Sequence, residues 1–119
     1  MVSKPVQMTP MTPLTPAVFH ILLALAGGKR HGYAISKEVQ RHTDGQVRMG
    51  PGTLYGTLQR LLDQGWVEAV EGPEKADERR RYYRLKGLGR RALEAEVERM
   101  DLLVRAARAE RVVSRTSRS

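Results

Sequence analysis

MGPGTLYGTLQRLLDQGWVEAVEGP, residues 49–73, decides the architecture. Pro51 suits a first helical position, where its missing N–H costs nothing. Leu54, Leu58, Leu61 and Leu62 then recur at helical spacing and predict a buried stripe on a helix over about residues 52–64. Gly65 fits the left-handed residue that ends helices. Trp66 to Glu71, with Val67 and Val70, is short and reads as a strand that Gly72-Pro73 breaks.

Upstream, Thr15-Pro16 reads as an N-cap followed by a first helical residue, and Val18, Ile21, Leu22 and Leu25 follow at helical spacing. Gly27-Gly28 stops that helix. A second helix is predicted from about Tyr33 to His42, with Ile35 and Val39 inward and Asp44-Gly45 as the turn after it. Downstream, Arg79 to Leu85 reads as a returning strand, with Arg81, Tyr83 and Leu85 on one face. Leu88 to about Val113 is a long amphipathic helix in which Leu93, Val97, Met100, Val104 and Ala107 form a heptad-like seam.

Three helices, a hairpin and a long helix give a mostly α fold of the α+β winged helix-turn-helix kind. It has a three-helix core, a two-stranded β wing and a long C-terminal dimerisation helix. The expected division is a flexible Pro-rich arm over 1–15, the winged domain over 16–86, the dimerisation helix over 87–113 and a disordered tail over 114–119.

The 119 residues suffice for one domain. Formal net charge is +8 and the pI is about 10.4, a balance that points to polyanions as partners. There is no cysteine, which excludes disulfide scaffolds, zinc-thiolate sites and thiol nucleophiles. No apolar run reaches the length of a membrane span, and residues 1–15 lack the apolar segment of a secretory signal. A cytoplasmic protein is therefore expected. His20, His31 and His42 show no metal-ligand spacing, and neither a phosphate-cradling glycine loop nor a nucleophile elbow is present. We expect no catalytic residue, no cofactor and no metal.

The helix over residues 52–64 is the natural reader of double-stranded DNA, because one α-helix fits the major groove. Thr53, Tyr55, Thr57 and Arg60 fall opposite its leucine stripe, with glycines around them that permit close backbone approach. Tyr55 has a second reading as a core residue. From Arg79 to Arg91 there are seven basic residues and no acidic one. On a wing, Arg79, Arg80 and Arg81 would lie against phosphates; the bland alternative is a solvated charged face. The last helix either folds back on its own domain or pairs with a second copy. A helix of about 25 residues exceeds what a three-helix core can cover, which favours pairing.

His31-Gly32-Tyr33-Ala34-Ile35, Gly52-Thr53-Leu54-Tyr55 with Leu58, Arg60 and Leu61, Gly65-Trp66-Val67, and Arg81-Tyr82-Tyr83-Arg84-Leu85 with Gly89-Arg90 follow one another in this order. In that combination the chain resembles PadR-family transcriptional regulators. The resemblance implies a winged-helix DNA-binding domain, a homodimer through the C-terminal helix, and repression relieved by a small-molecule effector. With one helix after the wing, the chain resembles the shorter subfamily. It departs from the family pattern at Lys86, where a Thr cap is common, and at Gly56, where Pro is common. Its last helix has no aromatic residue, so an effector pocket would draw on Phe19, Met100 or Leu103. Two rival readings use the same basic surface: a protein-interaction module, and a protein that coats DNA without regard to sequence.

Overall fold

Thr15 opens the first helix. Its hydroxyl accepts a hydrogen bond from the Val18 amide at 3.2 Å, and Pro16 fills the first turn. The computed structural model describes residues 13–73 and 80–113, and in it α1 spans Pro16–Leu25. A two-residue strand β1, Arg30–His31, leads directly into α2, Gly32–His42. His31 is the N-cap of α2, with Nδ1 accepting from the Ala34 amide at 3.2 Å. The turn after α2 is held by Thr43, whose hydroxyl donates to the Val39 carbonyl at 2.9 Å and accepts from the Val47 amide at 3.0 Å. Asp44 and Gly45 reverse the chain there with positive φ.

Helix α3 spans Pro51–Gln64 and ends on Gly65 at φ 77°. The Gly65 amide donates to Leu62 and the Trp66 amide to Leu61, the two bonds of a Schellman ending. That ending aims the chain straight into β2, Val67–Val70, which pairs antiparallel with β3, Tyr82–Leu85; Val67 lies opposite Leu85 and Val70 opposite Tyr82. Strand β1 occupies the other edge of β3, so the sheet order is β1-β3-β2. The predicted wing had two strands; the third is two residues long, too short for any alternation to show in the sequence. Helix α4, Gly87–Ala109, follows at once. Its start lies hard against the wing: a Cβ at Gly89 would collide with the Trp66 carbonyl. Lys86 is its N-cap and supplies no side-chain hydrogen bond.

The core joins Ile21, Leu22 and Leu25 of α1, Ile35 and Val39 of α2, Leu54, Leu58 and Leu61 of α3, Val67 and Tyr83 of the sheet, and Leu93 of α4. Burying each large aliphatic side chain contributes about 1.5–3 kcal/mol. Position and orientation of α3 therefore come from packing on two other helices rather than from its own propensity, which Gly52 and Gly56 lower.

Two expectations are corrected here. Thr57 is 2% exposed, part of the core rather than the outer face of α3. It stands three residues after Leu54 and four before Leu61, so helical spacing places it in the leucine stripe despite its hydroxyl. Leu93 is 5% exposed and belongs to its own domain's core, not to a free seam. The seam divides at Glu96. Up to that point Gly89, Ala92 and Leu93 are covered by the domain. Beyond it Val97, Met100, Leu103 and Val104 are exposed, with Ala107 half-buried. Glu96 itself is buried, accepting from the Leu14 amide at 3.3 Å and from Arg99 at 2.9 and 2.7 Å. That contact ties residue 14, the end of the predicted arm, to α4; residues 1–12 and the predicted tail over 114–119 lie outside the described residues. Among the described residues no helix is long and apolar enough to cross a membrane.

Candidate nucleic-acid interface

At about 100° per residue, a stripe of Leu54, Thr57, Leu58 and Leu61 turns Gly52, Gly56, Gln59 and Asp63 directly outward. Two of those four are glycines with open space where a Cβ would stand. Gln59 is occupied with Asp63 at 3.0 Å. Thr53 and Arg60, seven residues apart, share one flank of this bare stripe, and both are exposed. Tyr55 takes the opposite flank, half-exposed. Gly50 provides no side-chain cap for α3, and Pro51 has no N–H. The amides of Gly52 and Thr53 are thus left for an acceptor from outside.

Tyr55 lies across the start of α2, and Gly32 is what lets it do so, since a Cβ there would overlap the tyrosine ring. Beside it is a polar pocket of about 220 Å³ lined by His31, Gly32, Tyr33, Tyr55, Arg80 and Arg81. His31 stacks on Tyr33 with ring centres 6.4 Å apart and meets Tyr82 edge-on at 5.2 Å. Arg80 Nη1 is 2.9 Å from His31 Nε2. Burial, and then the positive charge of Arg80, hold the imidazole below its ordinary pKa. Arg81 lies 6.0 Å from the centre of the Tyr83 ring. On β3, Arg84 is paired with Glu68 of β2, which lowers the carboxyl pKa and leaves that arginine engaged within the wing.

On the other flank of α3, Arg60 and Gln64 join Leu14, Val18, Leu61 and Trp66 around an apolar cleft of about 160 Å³. Among the described residues no group of three metal-ligating side chains occurs.

Residues 21–95 match the sequence model of the transcriptional regulator PadR-like family, well over half of the chain. The chain belongs to that family. Among curated relatives of this PadR chain is the transcriptional regulator Rv3488 of Mycobacterium tuberculosis, 38% identical over 87 residues, 72% of this chain and 77% of that one. Two others are longer than the region they share with it. The chain spans 64% of an uncharacterised protein of Lysinibacillus sphaericus and 21% of a 37.1 kDa transposon protein of Streptomyces fradiae. In three dimensions it is similar to a transcriptional regulator from Clostridium thermocellum, with TM-score 0.65 and 29% identity over 78% of this chain and 87% of the other. Bacillus subtilis PadR, solved in complex with operator DNA, shares the fold at TM-score 0.58 and 20% identity, over 67% of this chain and 45% of that one. The winged-helix reading of the sequence therefore holds.

Within this PadR fold the predicted site residues separate. Thr53 and Arg60 share one flank of α3, and Tyr55 joins Arg80 and Arg81 on the other. Thr57 is inside, and Arg79 lies outside the described residues. His31 and Gly32 read in the sequence as part of a motif and not as site residues. The signal was a histidine-glycine pair at a helix start, whose meaning depends on a tyrosine 23 residues further on.

Proposed function

We propose that this chain is a transcriptional repressor that binds a palindromic DNA operator as a homodimer and is released by a small-molecule effector. The observation that carries the DNA reading is the bare outer stripe of α3, nearly free of side chains at Gly52 and Gly56 and bracketed by Arg60 on one side and Arg80 and Arg81 on the other. A duplex can approach such a helix closely while basic groups on both flanks meet its charge. Thr53, Tyr55 and Arg60 make base-edge and nearby phosphate contacts, and Arg79, Arg80 and Arg81 hold the backbone from the wing. The dimer forms through the uncovered part of α4, at Val97, Met100, Val104 and Ala107, with Leu103 added to them. Two copies so joined present two α3 helices about one DNA turn apart. Release by an effector rests on the family resemblance.

The division of labour is testable by titrating variants against specific and shuffled duplexes over a range of salt. Arg80→Ala weakens binding to both duplexes alike and lowers the slope of log affinity against log salt by about 1. Arg60→Ala costs about 1–3 kcal/mol on the specific duplex and less on the shuffled one. Equal losses on both duplexes for Arg60→Ala would remove it from the reading residues.

A further inference from the structure

His31 faces more donors than an imidazole can accept. The Ala34 amide donates to Nδ1 at 3.2 Å, and Arg80 Nη1 stands 2.9 Å from Nε2. A guanidinium has donors only, and a neutral imidazole has one accepting nitrogen. If Nδ1 accepts, the cap of α2 is made and Nε2 carries a hydrogen aimed at an arginine N–H. The other tautomer satisfies Arg80 and breaks the cap; the imidazolium satisfies neither. The ring is wedged between Tyr33 and Tyr82, which limits its turning away. Tyr33, Tyr55 and Arg81 bring further donors to the same pocket, and among the described residues no carboxylate lines it.

A surplus of donors converging on a space that no described carboxylate lines is what an oxyanion satisfies. We propose that this pocket takes one backbone phosphodiester of duplex DNA, with His31 as a neutral ligand that donates from Nε2 while Nδ1 stays on the α2 cap. The inference rests on the DNA reading above. A phosphate oxygen between Nε2–H and Arg80 turns an opposed pair of donors into two hydrogen bonds. Burial and Arg80 both disfavour the imidazolium, in keeping with a neutral ligand. His31 would thus fasten two things at once: the start of α2, and the register of the duplex over α3.

His31→Asn separates the two roles, because an asparagine oxygen can cap α2 and cannot span the pocket. The expected variant melts close to the unmodified chain and binds DNA about tenfold more weakly, as for one lost hydrogen bond to a charged group. The loss is the same on the fragment upstream of the chain's own gene and on its shuffled counterpart. Its salt slope is unchanged, since a neutral donor displaces no counterion, whereas Arg80→Ala lowers the slope by about 1. Undiminished binding by His31→Asn, with the unmodified chain binding DNA, overturns this inference and leaves the DNA reading standing. A slope lowered by about 1 in His31→Asn overturns the neutral-ligand assignment. Absence of DNA binding by the unmodified chain overturns both. Side-chain 15N spectra of the full chain give a check independent of variant folding. They should show Nε2–H in the free protein and a shift of that nitrogen on adding duplex. A shift with inorganic phosphate alone and none with duplex contradicts the proposal.

Discussion

Helices α3 and α4 each bury one stripe and leave another bare, and the bare stripes differ in kind. On α3 the uncovered residues are Gly52, Gly56 and Gln59, flanked by Thr53 and Arg60. On α4, beyond Glu96, they are Val97, Met100, Leu103 and Val104. Covering the first with protein gains almost nothing, because there is little apolar surface to remove from water. Covering the second gains about 25 cal/mol per Å². The same chain thus offers one face suited to a charged rod and another suited to protein, and it keeps them on different helices. Glu96 marks where α4 passes from its own domain's core to its uncovered part.

The largest expected effect breaks the α4 side of this contrast. Met100→Glu puts an unpaired charge into the proposed dimer contact, at a cost of about 3–5 kcal/mol. In analytical ultracentrifugation the dissociation constant should rise by more than about 100-fold. The fold itself should persist, because Met100 is exposed on the single chain. A dimer of unchanged strength would move the interface elsewhere.

The next tests the boundary. The Glu96 pKa is lowered chiefly by its hydrogen bonds to Arg99, against burial, which raises it. A carboxyl whose folded value is depressed adds stability above its unfolded value, near 4.3 on the ordinary scale, and that stability is lost as pH falls through the folded value. Glu38, held at about 2 by Arg41, acts in the same direction. Urea midpoints of the unmodified chain should therefore fall as pH drops from neutral through the carboxylate range, and Glu96→Gln should flatten that fall. A parallel fall in the variant would show that Glu96 does not carry it.

The smallest effect sharpens the α3 side. Gly56→Ala meets nothing within 4 Å, so it should stabilise the helix by about 0.5–1 kcal/mol in thermal melts. The added methyl also stands where the duplex must come close, and DNA affinity should drop by roughly fivefold, about 1 kcal/mol. Greater stability with undiminished affinity would mean that the glycine stripe is not the contact face.

Spacing made most of this legible. The leucines of α3, the Gly65 stop and the apolar positions of α1 and α2 place four helices and the wing within a residue or two at most ends. What the sequence hid were decisions made by distant partners. Thr57 reads as polar and outward, yet its register is that of the core. Leu93 and Met100 share one periodicity, and no periodicity says that the domain covers α4 as far as Glu96 and no further. Glu96 looks like one more surface charge on a charged helix until Leu14, 82 residues away, brings its amide to it. Gly32 needs Tyr55 before its lack of a side chain acquires a reason, and β1 needs β3 before two residues become a strand.

The most direct test of the central claim is a fluorescence-anisotropy titration of the full chain at two salt concentrations. It compares the DNA upstream of the chain's own gene with a shuffled duplex of equal length. A sequence-reading α3 flanked by arginines predicts tighter binding to the native fragment, with a preference that persists at the higher salt. Equal binding to both duplexes, collapsing together as salt rises, would contradict it.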